Sequence, residues 1–188
     1  MDYPTAIMHP ERVGTRVAII GAGGIGFDVA EILTHAEHPA LDRDAWCAEW
    51  GVDLSLVARG GLVTPQAPRV PREVTLLQRK TSKPGKGLGT TTGWVHRAAL
   101  RQRGVRMLNG CEYRGLDAAG LHIVREGVET CLEVETVVVC AGQISVTELE
   151  APLSVAGCEV HVIGGAQEAS ELDAKRAIDQ GTRLAARL

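Results

Sequence analysis

The stretch RVAIIGAGGIGFDVAEIL, Arg16 to Leu33, decides the fold. Arg16 to Ile20 is a short apolar run rich in β-branched residues, which is typical of a buried strand. Glycines fill most of Gly21 to Gly26, and the residues that follow place apolar side chains at helical intervals. The stretch therefore predicts a strand, a tight turn and a helix in immediate succession.

Glycines at these spacings have a physical meaning in a dinucleotide-binding fold. The first glycine permits the tight turn, the second lets the backbone approach a pyrophosphate, and the third lets the helix lie close to the strand. Gly21, Gly23 and Gly26 occupy those places, and Gly24 lies in the same turn. The N–H groups and positive dipole end of the helix would face the phosphates. The alternative is a turn whose glycines serve close packing alone.

Cofactor choice is usually encoded at the end of the second strand, where an acid binds the ribose 2′-hydroxyl of NAD and a basic residue binds the 2′-phosphate of NADP. Glu73 to Gln78 is the second predicted strand, and Arg79, Lys80 and Lys83 follow it in a glycine-rich loop. This pattern favours NADPH over NADH. The alternative is a basic loop that interacts only with solvent.

Several side chains near the turn have two interpretations each. Asp28 either borders the nicotinamide or ribose or is stabilised by the helix dipole, an effect worth about 0.3–1 kcal/mol. Trp94 either lies against the adenine or nicotinamide or packs in the core. His96 and Arg97 are more typical of a helix surface or of structural hydrogen bonds than of catalysis, and no catalytic residue is assigned.

The remaining pattern predicts an α/β fold: a Rossmann-like three-layer arrangement with a parallel sheet, a β-meander crossover and a C-terminal helix. An irregular insertion is expected at about residues 36–72, with one short helix at Ala45 to Trp50. The other predicted elements are a helix at Gly93–Arg103, a strand at Val105–Leu108, a meander at Cys111–Glu133, apolar strands at Thr136–Cys140 and Val160–Ile163, and an amphipathic helix at Glu168–Leu188.

Composition limits the classes of partner. Lysine and arginine total 20 against 23 acidic residues, for a net charge of −3, so no overall field favours nucleic acid or anionic lipid. No segment reaches the roughly 20 apolar residues of a membrane helix, and the N-terminus lacks the apolar block of a signal peptide, so we expect a cytoplasmic protein. The five cysteines form no C-x-x-C pair, and we expect reduced, mostly buried thiols rather than a zinc or iron–sulfur site.

Five blocks of sequence resemble the C-terminal region of bacterial NADPH-dependent 2,4-dienoyl-CoA reductase, an iron–sulfur flavoprotein family related to old yellow enzyme. They are the stretches Arg16–Leu33, Trp46–Leu56, Leu76–Arg97, Val137–Gln143 and Val162–Ala185. In that family a barrel holding FMN and substrate precedes a 4Fe-4S cluster and an FAD domain into which an NADPH domain is inserted. The resemblance implies that NADPH reduces FAD, and that electrons then reach FMN through the cluster.

The resemblance also implies an organisation for this chain. Residues 1–140 would form the NADPH-binding domain, and residues 141–188 would be the last segment of an FAD domain whose first half is absent. NADPH would contact Arg79, Lys80, Lys83 and Trp94. FAD would contact Gly165 and the run Leu172, Asp173 and Ala174, although Gly164 and Gly165 replace the Gly-Asp pair that many related flavoproteins use. FMN and the cluster would lie in the absent domains, and the isolated chain would be incomplete and inactive.

Other classes of protein fit less well. A non-catalytic NADP sensor would not need half a flavin site. The C-terminal domain of a related amine dehydrogenase or enoate reductase is a closer alternative. A one-domain dehydrogenase is disfavoured because Tyr113 has no Y-x-x-x-K partner. The expected partner is the remainder of the flavoenzyme, and an exposed sheet edge at Thr136–Cys140 or Val160–Ile163 could also cause self-association.

Overall fold

The computed structural model describes residues 1–35, 42–170 and 174–188. The chain divides into two compact units, Met1–Cys140 and Ala141–Leu188. The strands of the first unit are β1 Arg16–Ile20, β2 Glu73–Leu77, β3 Arg106–Leu108, β4 Cys111–Asp117, β5 Gly120–Arg125, β6 Val128–Leu132 and β7 Thr136–Val139. Its helices are α1 Tyr3–Met8, α2 Gly24–Thr34, α3 Arg43–Trp50 and α4 Gly93–Gln102, with 3₁₀ turns at Pro10–Arg12 and Arg59–Gly61.

Four strands form a parallel sheet in the order β3-β2-β1-β7, and β4, β5 and β6 form a separate antiparallel meander. Ile19 pairs with Leu76 of β2, so β1 and β2 end at the same edge of the sheet. Because connected parallel strands need crossovers, α2 leads from β1 toward β2 and α4 leads from β2 to β3. The sheet therefore brings the glycine turn after β1 next to the loop after β2.

Side chains of the sheet alternate between two cores, as the period of a strand requires. On one face, Ile19 and Leu76 are fully buried with Phe27 and Leu33 of α2. On the other face, Ala18 and Leu77 lie in the core that the meander completes, with members Cys111, Leu121, Ile123 and Leu132. Helices, parallel sheet and meander are thus three layers, which confirms the predicted fold class.

The outer edge of β7 is partly covered within the chain. The Met1 ammonium donates to the Val137 carbonyl over 2.8 Å, and the Val139 N–H donates to the Met1 carbonyl over 3.0 Å. Asp2 also forms a parallel bridge with Val139. The predicted strand is therefore present, and its edge is less open to self-association than the sequence alone suggested.

The insertion contains the helix α3, and Arg72 at its end joins it to the rest of the first unit. The Asp42 carboxylate caps α3 by accepting the Ala45 N–H over 2.9 Å, and Gly51, with φ 67°, ends the helix. Arg72 donates to the carbonyls of Leu33 and Pro10 over 3.3 and 2.7 Å. The predicted short helix is confirmed, while residues 36–41 lie outside the described residues.

A buried ion pair joins α3 to the end of α4. Arg103 Nη2 lies 2.9 Å from Glu49 Oε1, and both side chains are only 6% exposed. The Gln102 side-chain amide donates to the Glu49 carbonyl. Each charge depends on the other, because a buried ion without a partner is strongly destabilising.

The described residues of the second unit form the helices α5 Glu150–Val155, α6 Gly164–Gln167 and α7 Ala174–Ala185. Among its described residues, only Gly164 is buried. The Gly164 N–H donates to Gln180 Oε1 over 2.6 Å, and the Gln180 amide donates to Gln167 Oε1 over 2.8 Å, so polar contacts hold α6 against α7. This unit has no apolar core within the part of the chain that is described.

Two predicted elements in the second unit are corrected. Val160–Ile163 forms no strand, and Ile163 is 37% exposed. An apolar run becomes a strand only where a neighbouring strand supplies hydrogen-bond partners, and no described residue pairs with it. The last helix is described as Ala174–Ala185 and does not include Glu168 to Ser170, while residues 171–173 lie outside the described residues. Helices α1, α5 and α6 were not predicted.

None of the described helices has both the length and the apolar character to cross a membrane.

We expect Glu49→Ala to lower the free energy of unfolding of the first unit by about 3 kcal/mol, because it leaves the Arg103 guanidinium buried without a counter-charge. Urea unfolding, followed by the fluorescence of Trp46 and Trp50 on the same helix, measures this. Glu112→Ala breaks an exposed ion pair of β4 and should cost less than about 1 kcal/mol. Equal effects of the two variants would contradict the prediction.

Candidate functional site

The turn after β1 has the geometry that its glycines predict. Gly21 has φ 115°, a conformation that other residues rarely adopt, and its N–H donates to the Leu77 carbonyl over 2.8 Å. A Cβ on Gly26 would lie 1.7 Å from the Gly21 carbonyl oxygen. A Cβ on Gly23 would meet nothing within 4 Å. The turn is thus closely packed at Gly26 and open at Gly23.

The open side presents the N-terminus of α2. Gly23 is the N-cap residue, and having no side chain it makes no cap hydrogen bond to the first-turn N–H groups. Gly23 and Gly24 are both exposed. Uncapped N–H groups and the helix dipole attract an anion, and an exposed glycine backbone lets it come close. The arrangement fits the pyrophosphate of a dinucleotide.

The basic loop that follows β2 packs against this turn. The Gly85 N–H donates to the Ala22 carbonyl over 3.2 Å, and Arg97 Nη1 donates to the Gly85 carbonyl over 2.9 Å. A Cβ on Gly85 would lie 2.7 Å from Phe27 Cζ. The structure therefore brings the glycine turn and the basic loop together, and it gives Arg97 a structural role.

The cationic side chains lie at the start of that loop. Arg79, Lys80 and Lys83 are all exposed at the carboxyl end of β2. Burial, with a smaller contribution from Cys111, raises the pKa of the nearby Tyr113 phenol to about 12, and the positive charge of Arg79 partly opposes this rise. The phenol is therefore neutral at physiological pH. A positively charged surface lies directly beyond β2.

Two other residues predicted to contact the nucleotide lie on the helices α2 and α4. Asp28 is exposed on α2, and Trp94 is 63% exposed in the first turn of α4. The core-packing interpretation of Trp94 is therefore wrong. His96 Nδ1 lies 3.5 Å from Glu31 Oε2, which links α4 to α2.

The residues expected to contact FAD belong to the second unit. Gly165 lies in α6, after Gly164 with φ 62°, and Ala174 begins α7 as an exposed residue. Leu172 and Asp173 lie outside the described residues. The contact of these residues with FAD stays a prediction.

Sequence reasoning missed the residues that shape the basic loop. The Gln78 side-chain amide donates to the carbonyls of Lys80, over 2.9 Å, and Ser82. The Asn109 amide donates to the Thr81 carbonyl. A carboxamide that directly follows a strand and precedes a polar loop was the available signal for Gln78. Asn109 comes from a different connection and had no local signal.

The cysteines are free and scattered. Cys47 and Cys111 are buried and Cys140 is half-buried, but Cys131 and Cys158 are exposed, which corrects the expectation of mostly buried thiols. Burial raises the pKa of Cys140 to about 12, so that thiol stays protonated at physiological pH. Among the described residues, no three His, Cys, Asp or Glu side chains are grouped to hold a metal. The donor set does not fit an iron–sulfur cluster.

Together, the parallel sheet, the glycine turn and the uncapped helix define a dinucleotide-binding domain of the Rossmann type. The sequence model of the pyridine nucleotide-disulphide oxidoreductases matches residues 5–172, and the chain belongs to that family. This places it among the FAD- and NAD(P)H-binding modules of flavoprotein oxidoreductases.

Solved structures with a similar fold include much longer proteins. A 2-naphthoyl-CoA reductase, in complex with 2-naphthoyl-CoA, is 18% identical with a TM-score of 0.63 over 94% of this chain and 22% of that one. Histamine dehydrogenase from Rhizobium sp. 4-9 is 18% identical with a TM-score of 0.62, over 98% of this chain and 25% of that one. The flavoprotein disulfide reductase RclA from Escherichia coli, as a Cu(II) complex, is 13% identical with a TM-score of 0.51 over 93% and 36%.

The chain therefore spans about a quarter to a third of the length of these proteins. At sequence identities of 13–18%, the similarity shows a shared fold and nothing more.

Gly23 and Gly26 should respond differently to substitution by alanine. Gly26→Ala should lower the free energy of unfolding by about 2–3 kcal/mol, because its Cβ overlaps the Gly21 carbonyl. Gly23→Ala should change stability by less than about 1 kcal/mol, because its Cβ meets open space. It should nevertheless weaken NADPH binding about tenfold or more, because that Cβ occupies the space that a pyrophosphate would use.

Thermal unfolding and calorimetric titration with NADPH separate these effects. If Gly23→Ala binds NADPH as tightly as the unmodified chain, the dinucleotide does not approach this side of the turn.

Proposed function

We propose that the chain is the NADPH-binding module of a flavoprotein oxidoreductase resembling 2,4-dienoyl-CoA reductase, and that it delivers hydride from NADPH to FAD. The observation that carries the proposal is the packing of a basic loop directly against an open glycine turn. NADPH supplies the hydride when bound. The protein's task is to place the two cofactors, and it needs no acid or base of its own for the transfer.

Each part of NADPH would contact a different part of the first unit. The N–H groups at the start of α2 bind the pyrophosphate, and Gly21, Gly23, Gly24 and Gly26 let the backbone approach it. Asp28, one turn further along α2, borders the ribose or nicotinamide.

The basic loop selects NADPH. Arg79, Lys80 and Lys83 bind the 2′-phosphate, with charge-assisted hydrogen bonds that a ribose hydroxyl cannot make. Trp94 offers an exposed ring surface in the first turn of α4, and in this proposal the adenine or nicotinamide lies against it. Without the 2′-phosphate, the positive charge of the loop has no matching group on the ligand.

The second unit would complete a flavin site together with the rest of a longer protein. Gly165 and the run Leu172 to Ala174 contact FAD in this proposal. Apolar side chains of the unit are exposed, including Leu153 at 41% and Ile178 at 67%, and an FAD half-domain would cover them. FMN and a 4Fe-4S cluster would belong to other domains of the same flavoenzyme, acting in the cytoplasm.

Calorimetric titration of the 188-residue chain with NADPH, NADH and FAD tests the proposal. We expect NADPH to bind measurably and at least tenfold more tightly than NADH, and we expect FAD not to bind. Equal affinities for NADPH and NADH would contradict the assignment of the basic loop. A tightly held yellow flavin would contradict the assignment of the second unit as part of a flavin site.

Reversal of the loop charge gives a sharper test. The double variant Arg79→Glu/Lys80→Ala should weaken NADPH binding at least about 100-fold, because hydrogen bonds to a charged group contribute roughly 1.5–3 kcal/mol each. NADH binding should change by less than about threefold. The variant Arg114→Glu/Arg187→Ala makes the same change in net charge elsewhere and should leave both affinities nearly unchanged. Equal losses for the two nucleotides would contradict a contact with the 2′-phosphate.

A further inference from the structure

The loop after β2 is held by donors that converge on its backbone carbonyls. Gln78 Nε2 donates to the Lys80 carbonyl over 2.9 Å and also to the Ser82 carbonyl. The Gly110 N–H donates to the Lys80 carbonyl over 3.1 Å, and the Asn109 side chain donates to the Thr81 carbonyl. The three consecutive carbonyl groups of Lys80, Thr81 and Ser82 therefore point toward Gln78 and Asn109.

These donors are themselves fixed to the sheet. The Gln78 N–H donates to the Leu108 carbonyl over 3.0 Å, and the Gln78 carbonyl accepts the Cys111 N–H over 3.0 Å. Gly110, with φ 66°, turns the chain between β3 and β4 at this point. The conformation of the loop is thus set by the ends of β2 and β3.

The direction of these carbonyl groups also fixes the direction of the N–H groups in the loop. In a trans peptide the N–H points opposite to the carbonyl of the same unit, and the described residues contain no cis bond. The N–H groups of Thr81, Ser82 and Lys83 must therefore point away from Gln78 and Asn109. None of the three donates to an acceptor within the described ranges.

We propose that the N–H groups of Thr81, Ser82 and Lys83 form a backbone anion site for a phosphate monoester, with Gln78 and Asn109 as its positioning residues. Successive N–H groups on one side of a turn bind anions in many proteins. The exposed side chains of Arg79 and Lys83 add positive charge beside them. The inference rests on the proposed function, and the monoester is the 2′-phosphate of NADPH.

The site explains how a loop on the surface can discriminate between two nucleotides. Long basic side chains alone lose conformational entropy when they bind, whereas a backbone held by Gln78 and Asn109 is already ordered. Selectivity for the 2′-phosphate should then depend on two carboxamides that do not contact the phosphate.

Adenosine 2′,5′-bisphosphate and adenosine 5′-monophosphate isolate this contact, because they differ only in the 2′-phosphate. We expect Gln78→Ala and Asn109→Ala each to weaken binding of the bisphosphate about tenfold and to change binding of the monophosphate by less than twofold. Gln102→Ala is the matched control, because its amide also donates to a backbone carbonyl, that of Glu49, but at the end of α4. It should leave the ratio of the two affinities unchanged.

Amide resonances of the 188-residue chain report on the N–H groups directly. Those of Thr81, Ser82 and Lys83 should shift on addition of the bisphosphate and not on addition of the monophosphate, a result that needs no variant to fold. If the unmodified chain binds both nucleotides equally, the proposed NADPH function fails. If it prefers the bisphosphate while these amides do not move and Gln78→Ala keeps the preference, only the backbone site is wrong.

Discussion

The contact between Gly26 and the Gly21 carbonyl is the constraint on which the rest of the structure depends. A Cβ at Gly26 would lie 1.7 Å from that oxygen, so α2 reaches its position only because a glycine stands there. The close approach places Phe27 and Leu33 in the core above β1 and β2. It also aims the uncapped start of α2 at the edge where these strands end. Fold and binding surface thus have the same origin.

The loop after β2 is also held in place, by hydrogen bonds at two points along its backbone. Gly85 hydrogen-bonds to the glycine turn through Ala22, and the Gln78 amide binds carbonyls nearer the strand. Both anchors use the backbone, so they leave the exposed side chains of Arg79 and Lys83 available to a ligand. The backbone of this loop is thus held in one conformation, which supports the proposal that it binds a ligand.

Much of this was predictable because the decisive signals are local. Strand β1, the start of α2 and the helix α3 follow from short local patterns of apolar residues and glycines. The ion pair of Glu49 with Arg103 was not predictable, because it joins residues far apart in sequence across an irregular insertion. The role of Asn109 was not predictable for the same reason, because its acceptor, the Thr81 carbonyl, lies in a different loop. For Val160 to Ile163 the sequence predicted a strand that the structure lacks. The local pattern is that of a strand, but a strand also needs a neighbouring strand to pair with, and none of the described residues forms one.

The same dependence on neighbours explains the contrast between the two units. The first unit buries both faces of its sheet, and the second buries only Gly164 among its described residues. Because apolar burial is the main source of stability, a unit held by contacts such as that of Gln180 with Gly164 gains little by itself. The first unit thus has the fold of a dinucleotide-binding domain, and in the proposed function the second unit would take part in a flavin site only together with other parts of a longer protein.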